Sequence, residues 1–402
     1  MALARLDRIR HPPSTPATNL STATPLGTRL GTPLATPLRV ALDGTPLLGL
    51  RTGVAEVASG LLTALSARDD VDPIAYAVSW SGRRQLAPEL PRGVTAATAS
   101  IPARVARALW ERADRLVIER WTGPVDVVHA LNFVAPPAHA PVVVMIHDLT
   151  VVRYPELCTA DTRRYPAAIA RALRRGAHVH VPSDFVADEV RDAFDLDVGR
   201  VTRVYSGLSP SQPGDATAGR RLAGADRYVL AVGTVEPRKN LPTLVRAFDA
   251  LAARDDSMHL VIAGPDGWGH EQLEEARARA RHRDRIRRLG YVTKGDRSDL
   301  IAGTTAFAYP SIYEGFGFPP LEAMAAGVPV VAARAGALPE VLGDAALLVD
   351  PADDTALADA LERAVADDGL RTRLIAAGRA RSARYTWPAA AAALVDLYRS
   401  LA

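Results

Sequence analysis

The chain has 402 residues, of which 48% are hydrophobic, and is therefore long enough for two globular domains of ordinary size. Its formal net charge of +3 offers no electrostatic argument for binding nucleic acid, and its single cysteine excludes an internal disulfide. No apolar run approaches the roughly 20 residues of a membrane span, and the N-terminus lacks the apolar core of a secretory signal. These features predict a cytoplasmic protein.

Residues 1–36 are rich in Thr, Pro, Ala and Leu without periodicity, which predicts a disordered extension. From Leu38 onward, short apolar segments alternate with amphipathic ones, as in parallel α/β sheets covered by helices on both faces. The elements predicted in the first half are strand 38–43, helix 54–67, strand 73–78, helix 103–121, and strands 125–129, 142–146, 178–181 and 200–204.

A polar, turn-rich stretch, SPSQPGDATAG at 209–219, interrupts this rhythm, which then restarts. The elements predicted beyond it are strand 228–232, helix 241–253, strand 260–263, helix 271–281, strands 286–289 and 306–309, helix 321–326 and strand 328–332. We therefore predict two Rossmann-like, doubly wound α/β domains, 37–210 and 211–384. Ligands of such folds bind at the carboxyl ends of the strands, and with two domains usually in the cleft between them.

The stretch EGFGFPPLE, at 314–322, joins the strand at 306–309 to a helix. Pro319 and Pro320 are compatible with the first helical turn, where a missing N–H costs little. A glycine turn before a helix N-terminus presents free N–H groups to a phosphate or a sugar hydroxyl. Because Glu314 and Glu322 flank this turn as acceptor-only carboxylates, the pattern indicates a ligand rich in hydroxyls.

The stretch AVGTVEPRKNL, at 231–241, places Arg238 and Lys239 between a strand and a helix N-terminus. Two cations in that position can clamp a diphosphate, the guanidinium bidentately and the ammonium as a point charge. The alternative is a solvated basic loop. Position after a strand favours the clamp, as does the rarity of lysine, since Lys239 and Lys294 are the only two in the chain.

His147 directly follows the apolar strand 142–146, so it is expected at the carboxyl end of that strand. There a neutral imidazole could bind a substrate hydroxyl, and a protonated one could stabilise a phosphate. The alternative is a structural histidine bonded to backbone. Asp148 could orient the ring or cap the next segment. Gly53 lies in the loop after the first strand, where a glycine allows close approach of a ligand.

Other matches are rejected as binding motifs. The D-x-D runs at 70–72 and 195–197 lie in polar turns after helices, so no metal site is expected. GPDGWG at 264–269 lacks the spacing of a dinucleotide fingerprint, and no P-loop motif occurs. The arginine-rich segment 103–121 could rest on an anionic membrane or pack as a helix with a solvated basic face, and both interpretations stay open.

These motifs resemble those of the retaining enzymes of glycosyltransferase family 4. In particular, EGFGFPPLE looks like the E-x7-E signature of that family. VGTVEPRKNL, VIAGPDGWG, LGYV and the closing YTWPAAAAALVDLYRSL resemble family motifs in the family's order. VVHALNFVAPP, VVMIHDLTVVRYPE, VPSDFVADEV and RVYSGL are similar to a branch of mannosyl- and rhamnosyltransferases. The resemblance covers roughly 38–402 and implies the GT-B fold, two Rossmann-like domains facing a cleft, with the final helix (385–402) crossing back onto the N-terminal domain.

Transferred by position, the resemblance implies that Glu322 holds the ribose hydroxyls of a nucleotide diphosphate sugar and that Glu314 contacts the transferred sugar. The backbone N–H groups of Phe316, Gly317 and Phe318 would bind sugar and phosphate. This donor is a co-substrate, and no cofactor or metal is expected.

The other implied roles concern the diphosphate, the base and the reaction centre. Arg238 and Lys239 would neutralise the diphosphate, and Tyr291 and Val292 would meet the nucleobase through their backbone. His147 would lie near the sugar and the reaction centre.

Two positions depart from the family pattern. Gly233 and Thr234 belong to the implied donor site, but many members carry Gly-Arg there, so Arg238 would have to replace that arginine. Gly53 would lie near the diphosphate, yet Glu56 stands in its loop where an arginine is common. This glutamate weakens the case that the loop binds phosphate by charge.

The expected reaction is transfer of a hexose, with mannose from GDP-mannose as the best interpretation, to a hydroxyl of a glycan, a lipid-linked or a small-molecule acceptor. UDP- and dTDP-sugars stay open as donors, as do a phosphorylase-like or synthase reaction and a non-catalytic nucleotide-sugar-binding protein. The expected partners are the donor and the acceptor, and no nucleic acid is expected. A peripheral membrane contact and the oligomeric state are left open.

Overall fold

The computed structural model describes residues 36–49, 53–80, 82, 84–112, 116–209 and 213–402. The extension predicted to be disordered thus lies, up to residue 35, outside the described residues. The first sheet in the described chain is parallel and contains β1 (Leu38–Asp43), β2 (Val71–Val78), β3 (Thr95–Ala99), β4 (Val127–Ala130), β5 (Val142–Met145), β6 (His178–Val181) and β7 (Val201–Arg203). Their spatial order is β3-β2-β1-β4-β5-β6-β7.

The second sheet is parallel as well and contains β8 (Arg227–Val232), β9 (Met258–Ala263), β10 (Ile286–Gly290), β11 (Ala306–Tyr309), β12 (Val330–Ala333) and β13 (Leu347–Val349). Its order, β10-β9-β8-β11-β12-β13, reverses between β8 and β11, as the first sheet reverses between β1 and β4. In open α/β sheets the crevice at such a reversal is where ligands bind. The predicted pair of Rossmann-like α/β domains is confirmed.

Helices connect the strands, and apolar residues on both faces of each sheet pack against them. In the first half they are α1 (Gly53–Ser66), α2 (Leu86–Glu89), α3 (Ala103–Arg112), α4 (Glu119–Thr122), α5 (Thr150–Arg153), α6 (Tyr165–Arg174) and α7 (Asp184–Phe194). In the second half they are α8 (Ala216–Ala223), α9 (Leu241–Ala252), α10 (His270–Arg279), α11 (Lys294–Gly303), α12 (Phe318–Ala325), α13 (Leu338–Leu342), α14 (Asp354–Ala366), α15 (Asp368–Ser382) and α16 (Trp387–Leu401). Within the described chain, none of these helices combines the length and hydropathy of a membrane span.

The prediction of one helix over 103–121 is wrong, because α3 ends at Arg112 and α4 begins only at Glu119. Leu116 adopts a left-handed backbone with φ 66°, which a continuous helix cannot contain. Its carbonyl accepts a hydrogen bond of 3.3 Å from the indole of Trp110, which is almost buried. Of the basic residues on which the membrane interpretation depends, those at 104, 107, 112 and 115 have side chains outside the described residues, while Arg120 is exposed on α4.

The polar break predicted at 209–219 is shorter than expected, because α8 already begins at Ala216. Asp215 caps this helix by accepting a hydrogen bond from Thr217 N at 2.8 Å. Gly219, which suggested a turn, lies inside the helix, where a Cβ would come within 1.9 Å of Asp299 O. The glycine therefore allows α8 to pack directly against α11. The predicted domain boundary at 210 falls within the undescribed residues 210–212.

The final helix crosses back onto the first sheet, which confirms this part of the prediction. Trp387 at the start of α16 packs against Gly60 of α1, where an added Cβ would lie 2.0 Å from the indole ring. Near the other end, the Tyr398 hydroxyl lies 2.6 Å from Nδ1 of buried His129 on β4. The helix therefore completes the core of the N-terminal half.

Candidate active site

The loop after β8 and the loop after β11 meet around one buried ammonium group. Lys239, only 9% exposed, donates hydrogen bonds from Nζ to Glu314 Oε1 at 2.6 Å and to Tyr309 Oη at 2.7 Å. The Tyr309 hydroxyl in turn donates to Glu314 Oε1 at 3.0 Å. Because Tyr309 ends β11 and Lys239 follows β8, the cluster lies at the reversal of the second sheet, where a ligand is expected.

A second cation completes this cluster. Arg238 Nη1 lies 2.9 Å from Glu314 Oε1 and donates a weaker bond of 3.3 Å to Tyr313 O. Its Nε donates to Glu236 Oε2 at 2.9 Å. Two carboxylates thus balance the two cations that the sequence predicted as a diphosphate clamp. The predicted Arg238, Lys239 and Glu314 are brought together by the fold.

The charges of this cluster follow from burial and from the close pairing. Burial raises the pKa of Glu314, but Arg238 and Lys239 outweigh it and bring that pKa to about 2. Burial lowers the pKa of Lys239, and the Arg238 charge lowers it further, against the opposing effect of Glu314. Glu314 is therefore ionised at neutral pH and acts as a fixed anion rather than as a proton donor.

Close backbone packing holds the cationic loop in place. A Cβ on Gly264 (φ 146°), which follows β9, would come within 2.0 Å of the carbonyl oxygen of Gly233, the residue after β8. The loop ends in a single 3-10 turn, Pro237–Lys239, after which Asn240 adopts a left-handed backbone with φ 54°. The Asn240 amide donates to Pro310 O at 3.2 Å, which ties the loop to the end of β11. Thr234 lies half-buried in the same loop.

His147 lies at the carboxyl end of β5, on the facing half of the molecule. Its Nε2 is 2.7 Å from Leu131 O, and since a carbonyl only accepts, Nε2 must carry the proton. Burial lowers the pKa of His147 despite this bond and the charge of Asp148, so the ring is neutral at neutral pH. The carboxylate of Asp148 accepts from Thr150 N at 2.9 Å, a local contact at the start of α5, whose N-cap is Leu149 and not Asp148.

The glycine turn of the E-x7-E motif carries free N–H groups. Helix α12 begins at Phe318 after Gly317, whose φ of 108° suits a glycine. Among the described residues, the N–H groups of Phe316, Gly317 and Phe318 have no hydrogen-bond partner, while the next two residues are prolines without an N–H. A Cβ on Gly53 would lie 3.8 Å from the Phe318 ring, so the start of α1 in the other half faces this turn.

Glu322 lies in a different environment from Glu314 and shares no described partner with it. It pairs with Arg297 of α11, while its Oε2 atom is buried without a partner among the described residues. A cavity of about 310 Å³ opens beside it, lined in part by Glu56 and Lys294, whose charged atoms lie 3.7 Å apart. Since Glu56 belongs to α1, this cavity is bordered by both halves of the chain.

Burial raises the pKa of Glu322 to about 7, more than the nearby Arg297 lowers it. A carboxyl whose folded pKa exceeds its unfolded value takes up protons on folding, so it costs stability once the pH exceeds about 4.5. We expect the free energy of unfolding of the wild type to fall relative to Glu322→Gln as the pH rises from about 4.5 to about 7. Urea unfolding at several pH values measures this difference, and parallel curves for the two proteins would contradict it.

Two predicted base contacts lie at the end of β10. Tyr291 is 65% exposed, and Val292 is half-buried against the core of the second half. Gly290 before them has φ 67°, and its carbonyl accepts a bond of 2.7 Å from Gly264 N. The backbone of Tyr291 and Val292 is thus fixed next to the carboxyl end of β9, while the tyrosine ring is free to solvent.

Several residues of the site escaped sequence reasoning. Tyr309 was assigned only to a strand, although its place at the strand end, before a predicted ligand loop, was a usable signal. Glu236 lies within the cationic motif at 231–241, but the motif assigns it no role. Nothing in the sequence pattern pointed to Arg297, because its helix was not predicted. Among the described residues, no group of three or more His, Cys, Asp or Glu side chains could hold a metal ion.

Comparison with known proteins finds two matching family models and several similar relatives. The family model described as Glycosyl transferases group 1 matches residues 218–381, and that of Glycosyltransferase Family 4 matches residues 51–212. The O-antigen chain mannosyltransferase B of Escherichia coli is 32% identical over 284 residues, which are 68% of this chain and 74% of that protein. A phosphatidyl-myo-inositol mannosyltransferase of Mycobacterium leprae (strain TN) is 29% identical over 78% of this chain and 85% of that protein.

Solved structures are similar in fold. The crystal structure of Anabaena HepE in complex with UDP and glucose superposes with a TM-score of 0.68, over 91% of this chain and all of that chain, at 21% identity. WaaG, a glycosyltransferase involved in lipopolysaccharide biosynthesis, superposes with a TM-score of 0.67 at 16% identity, over 90% and 99% of the two chains. At these identities the likeness concerns the two-domain fold alone.

Proposed function

Because this chain belongs to the glycosyltransferases of family 4 and group 1, we propose that it is a retaining, metal-independent hexosyltransferase that uses a nucleotide diphosphate sugar. The observation that carries this proposal is the buried cluster of Lys239, Arg238 and Glu314 at the sheet reversal, opposite neutral His147. Fixed cations and free backbone N–H groups at one point match a leaving group that develops negative charge.

In this mechanism, the bond between the anomeric carbon and the diphosphate breaks while Arg238 and Lys239 stabilise the charge that develops on the leaving phosphate. The N–H groups of Phe316, Gly317 and Phe318 add further donors. Glu314, held ionised between cations, is a weak nucleophile, which favours attack of the acceptor hydroxyl on the same face over a covalent intermediate. The departing phosphate then takes the acceptor's proton.

The donor we favour is GDP-mannose, with a hydroxyl of a glycan, lipid-linked or small-molecule acceptor. The support is that two relatives bear the names of mannosyltransferases. Glu322 would bind the ribose hydroxyls, since its buried Oε2 lacks a partner among the described residues and borders a cavity. Its present partner Arg297 would keep the other carboxylate oxygen occupied.

We expect GDP-mannose to raise the melting temperature more than UDP- or dTDP-sugars in a thermal-shift screen, because a ligand that binds only the folded state stabilises it. At a concentration 100 times its Kd, the donor would add about 3 kcal/mol to the free energy of unfolding.

Added EDTA should change neither the shift in melting temperature nor the turnover. The anomeric configuration of the product, measured by NMR, should match that of the donor. A larger shift with a UDP-sugar would reassign the donor, whereas strict Mg²⁺ dependence or an inverted product would contradict the mechanism.

A further inference from the structure

The residue before Glu314 binds the opposite half of the molecule. Tyr313, only 2% exposed, accepts a hydrogen bond of 2.9 Å at its hydroxyl from Leu149 N and donates one to Glu189 of α7. Leu149 lies two residues after His147, and Glu189 is held by Arg153 at 2.9 Å. One hydroxyl therefore joins the loop of Glu314 to the loop of His147 and to α7.

The residue after Glu314 makes the matching contact on the other side. Gly315 O accepts a hydrogen bond of 2.8 Å from the Ser183 hydroxyl, at the N-cap of α7. A Cβ on Gly315 would come within 1.9 Å of His147 O, so only a glycine allows this approach. The two backbones are thus in direct contact beside the histidine.

Glu314 itself faces away from these contacts. Tyr313 and Gly315 both touch the N-terminal half, while the Glu314 carboxylate points to Lys239 and Arg238 in its own half. Residues 310–317, between β11 and α12, belong to no helix or strand, so the contacts of its neighbours, and not regular backbone geometry, hold Glu314 in this direction. Holding both neighbours against the N-terminal half therefore fixes the direction of the Glu314 side chain.

A second contact, between Glu340 and the start of α7, joins the same two halves of the chain. Glu340, in the first turn of α13, accepts hydrogen bonds from Asp184 N at 2.8 Å and Phe185 N at 2.9 Å. These N–H groups form the start of α7, where a carboxylate is favoured by the unpaired donors and the helix dipole. The start of α7 is thus bound by α13 and by the Glu314 loop together.

We propose that Tyr313 is a positioning residue, which together with Ser183 and Glu189 sets the direction of the Glu314 carboxylate through contacts between the two halves of the chain. This inference rests on the proposed function. Binding of the donor by the second half does not require these contacts, whereas the direction of the Glu314 carboxylate toward Lys239 and Arg238 does. Loss of the Tyr313 hydroxyl should therefore lower kcat far more than it raises the donor KM.

The test is Tyr313→Phe, with kcat and KM for the donor measured beside hydrogen exchange of the Leu149 amide. We expect kcat to fall roughly 10- to 100-fold, since small misplacements of reacting groups have effects of this size. The donor KM should change less than about threefold, and the Leu149 amide should exchange faster. The separate single variant Glu189→Gln keeps an acceptor for the Tyr313 hydroxyl and should therefore retain most of the wild-type kcat.

The matched control is Tyr228→Phe, which removes another buried tyrosine hydroxyl, one that donates to Leu300 O at 2.6 Å within the second half. It should lower the melting temperature without changing kcat. An equal loss of kcat in both variants, or a wild-type kcat in Tyr313→Phe despite faster exchange at Leu149, would overturn the proposal. A wild type that transfers sugar from no donor would overturn the proposed function as well, and the exchange measurement would then report on the contact alone.

Discussion

Lys239→Ala is expected to lower kcat by roughly 10²–10³, the effect typical of losing one pre-aimed donor to a developing charge. Lys239 lies buried between Glu314 and Tyr309, so neither water nor a mobile side chain can readily replace its ammonium. The loss should appear in kcat at saturating donor, because the charge that Lys239 stabilises is greatest after the bond to the diphosphate has stretched.

Arg254→Ala is a suitable control for this variant, because it removes a cation just beyond the other end of α9, in a half-exposed pair with Asp359 and Glu362. Such surface pairs contribute little to stability, and Arg254 has no described contact with the buried cluster, so the kcat of this variant should match the wild type. A Lys239→Ala protein that is folded and turns over at a rate near the wild type would refute the assigned role of Lys239.

Glu314→Ala is expected to abolish measurable transfer and to lower the free energy of unfolding by roughly 3–5 kcal/mol. Removing the carboxylate leaves the buried Lys239 without its anion, and Arg238 keeps only Glu236. An uncompensated buried charge is far more costly than the pair was favourable. Urea unfolding and a transfer assay measure the two effects separately.

The pH dependence of the same variant gives a second readout. The folded pKa of Glu314, about 2, lies below its ordinary value of 4.5, so its contribution to stability is complete above 4.5 and is lost as the pH falls toward 2. Glu314→Ala should lack this part of the acid sensitivity.

Glu275→Ala, which removes a carboxylate from an exposed pair with Arg279, serves as the control and should stay within about 0.5 kcal/mol of the wild type. The assigned role of the buried cluster would be refuted if both variants lost the same free energy of unfolding. It would also be refuted if Glu314→Ala lost stability toward low pH as steeply as the wild type.

Hydrophobic patterning located most strands closely. The predicted strands at 38–43, 178–181 and 306–309 coincide with β1, β6 and β11, because buried parallel strands are short, continuous apolar runs between polar turns. Hydrophobic patterning does not predict β3, whose sequence TAATA is small and half-exposed at the sheet edge, or the short edge strand β13. The same patterning predicts one helix across α3 and α4, because helical periodicity gives no sign of the left-handed backbone at Leu116.

A site residue was predictable where one segment contained both a strand end and a charged side chain in the loop after it. Arg238, Lys239 and Glu314 follow strand ends and carry charge, so each could be assigned separately. Their mutual pairing could not be foreseen, since Lys239 and Glu314 are 75 residues apart. The same holds for Glu322 and Arg297, whose pairing depends on how α11 packs beside α12.

The sequence by itself determined the two α/β halves, the family, and the residues that carry charge at the strand ends. These properties depend on local periodicity and on motifs within a few residues of one another. Only the tertiary structure decided that Glu314 lies between two cations while its neighbours Tyr313 and Gly315 hold the opposite half. Such contacts join segments 75 or more residues apart, and burial where the segments meet sets their charge states, so no local pattern contains them.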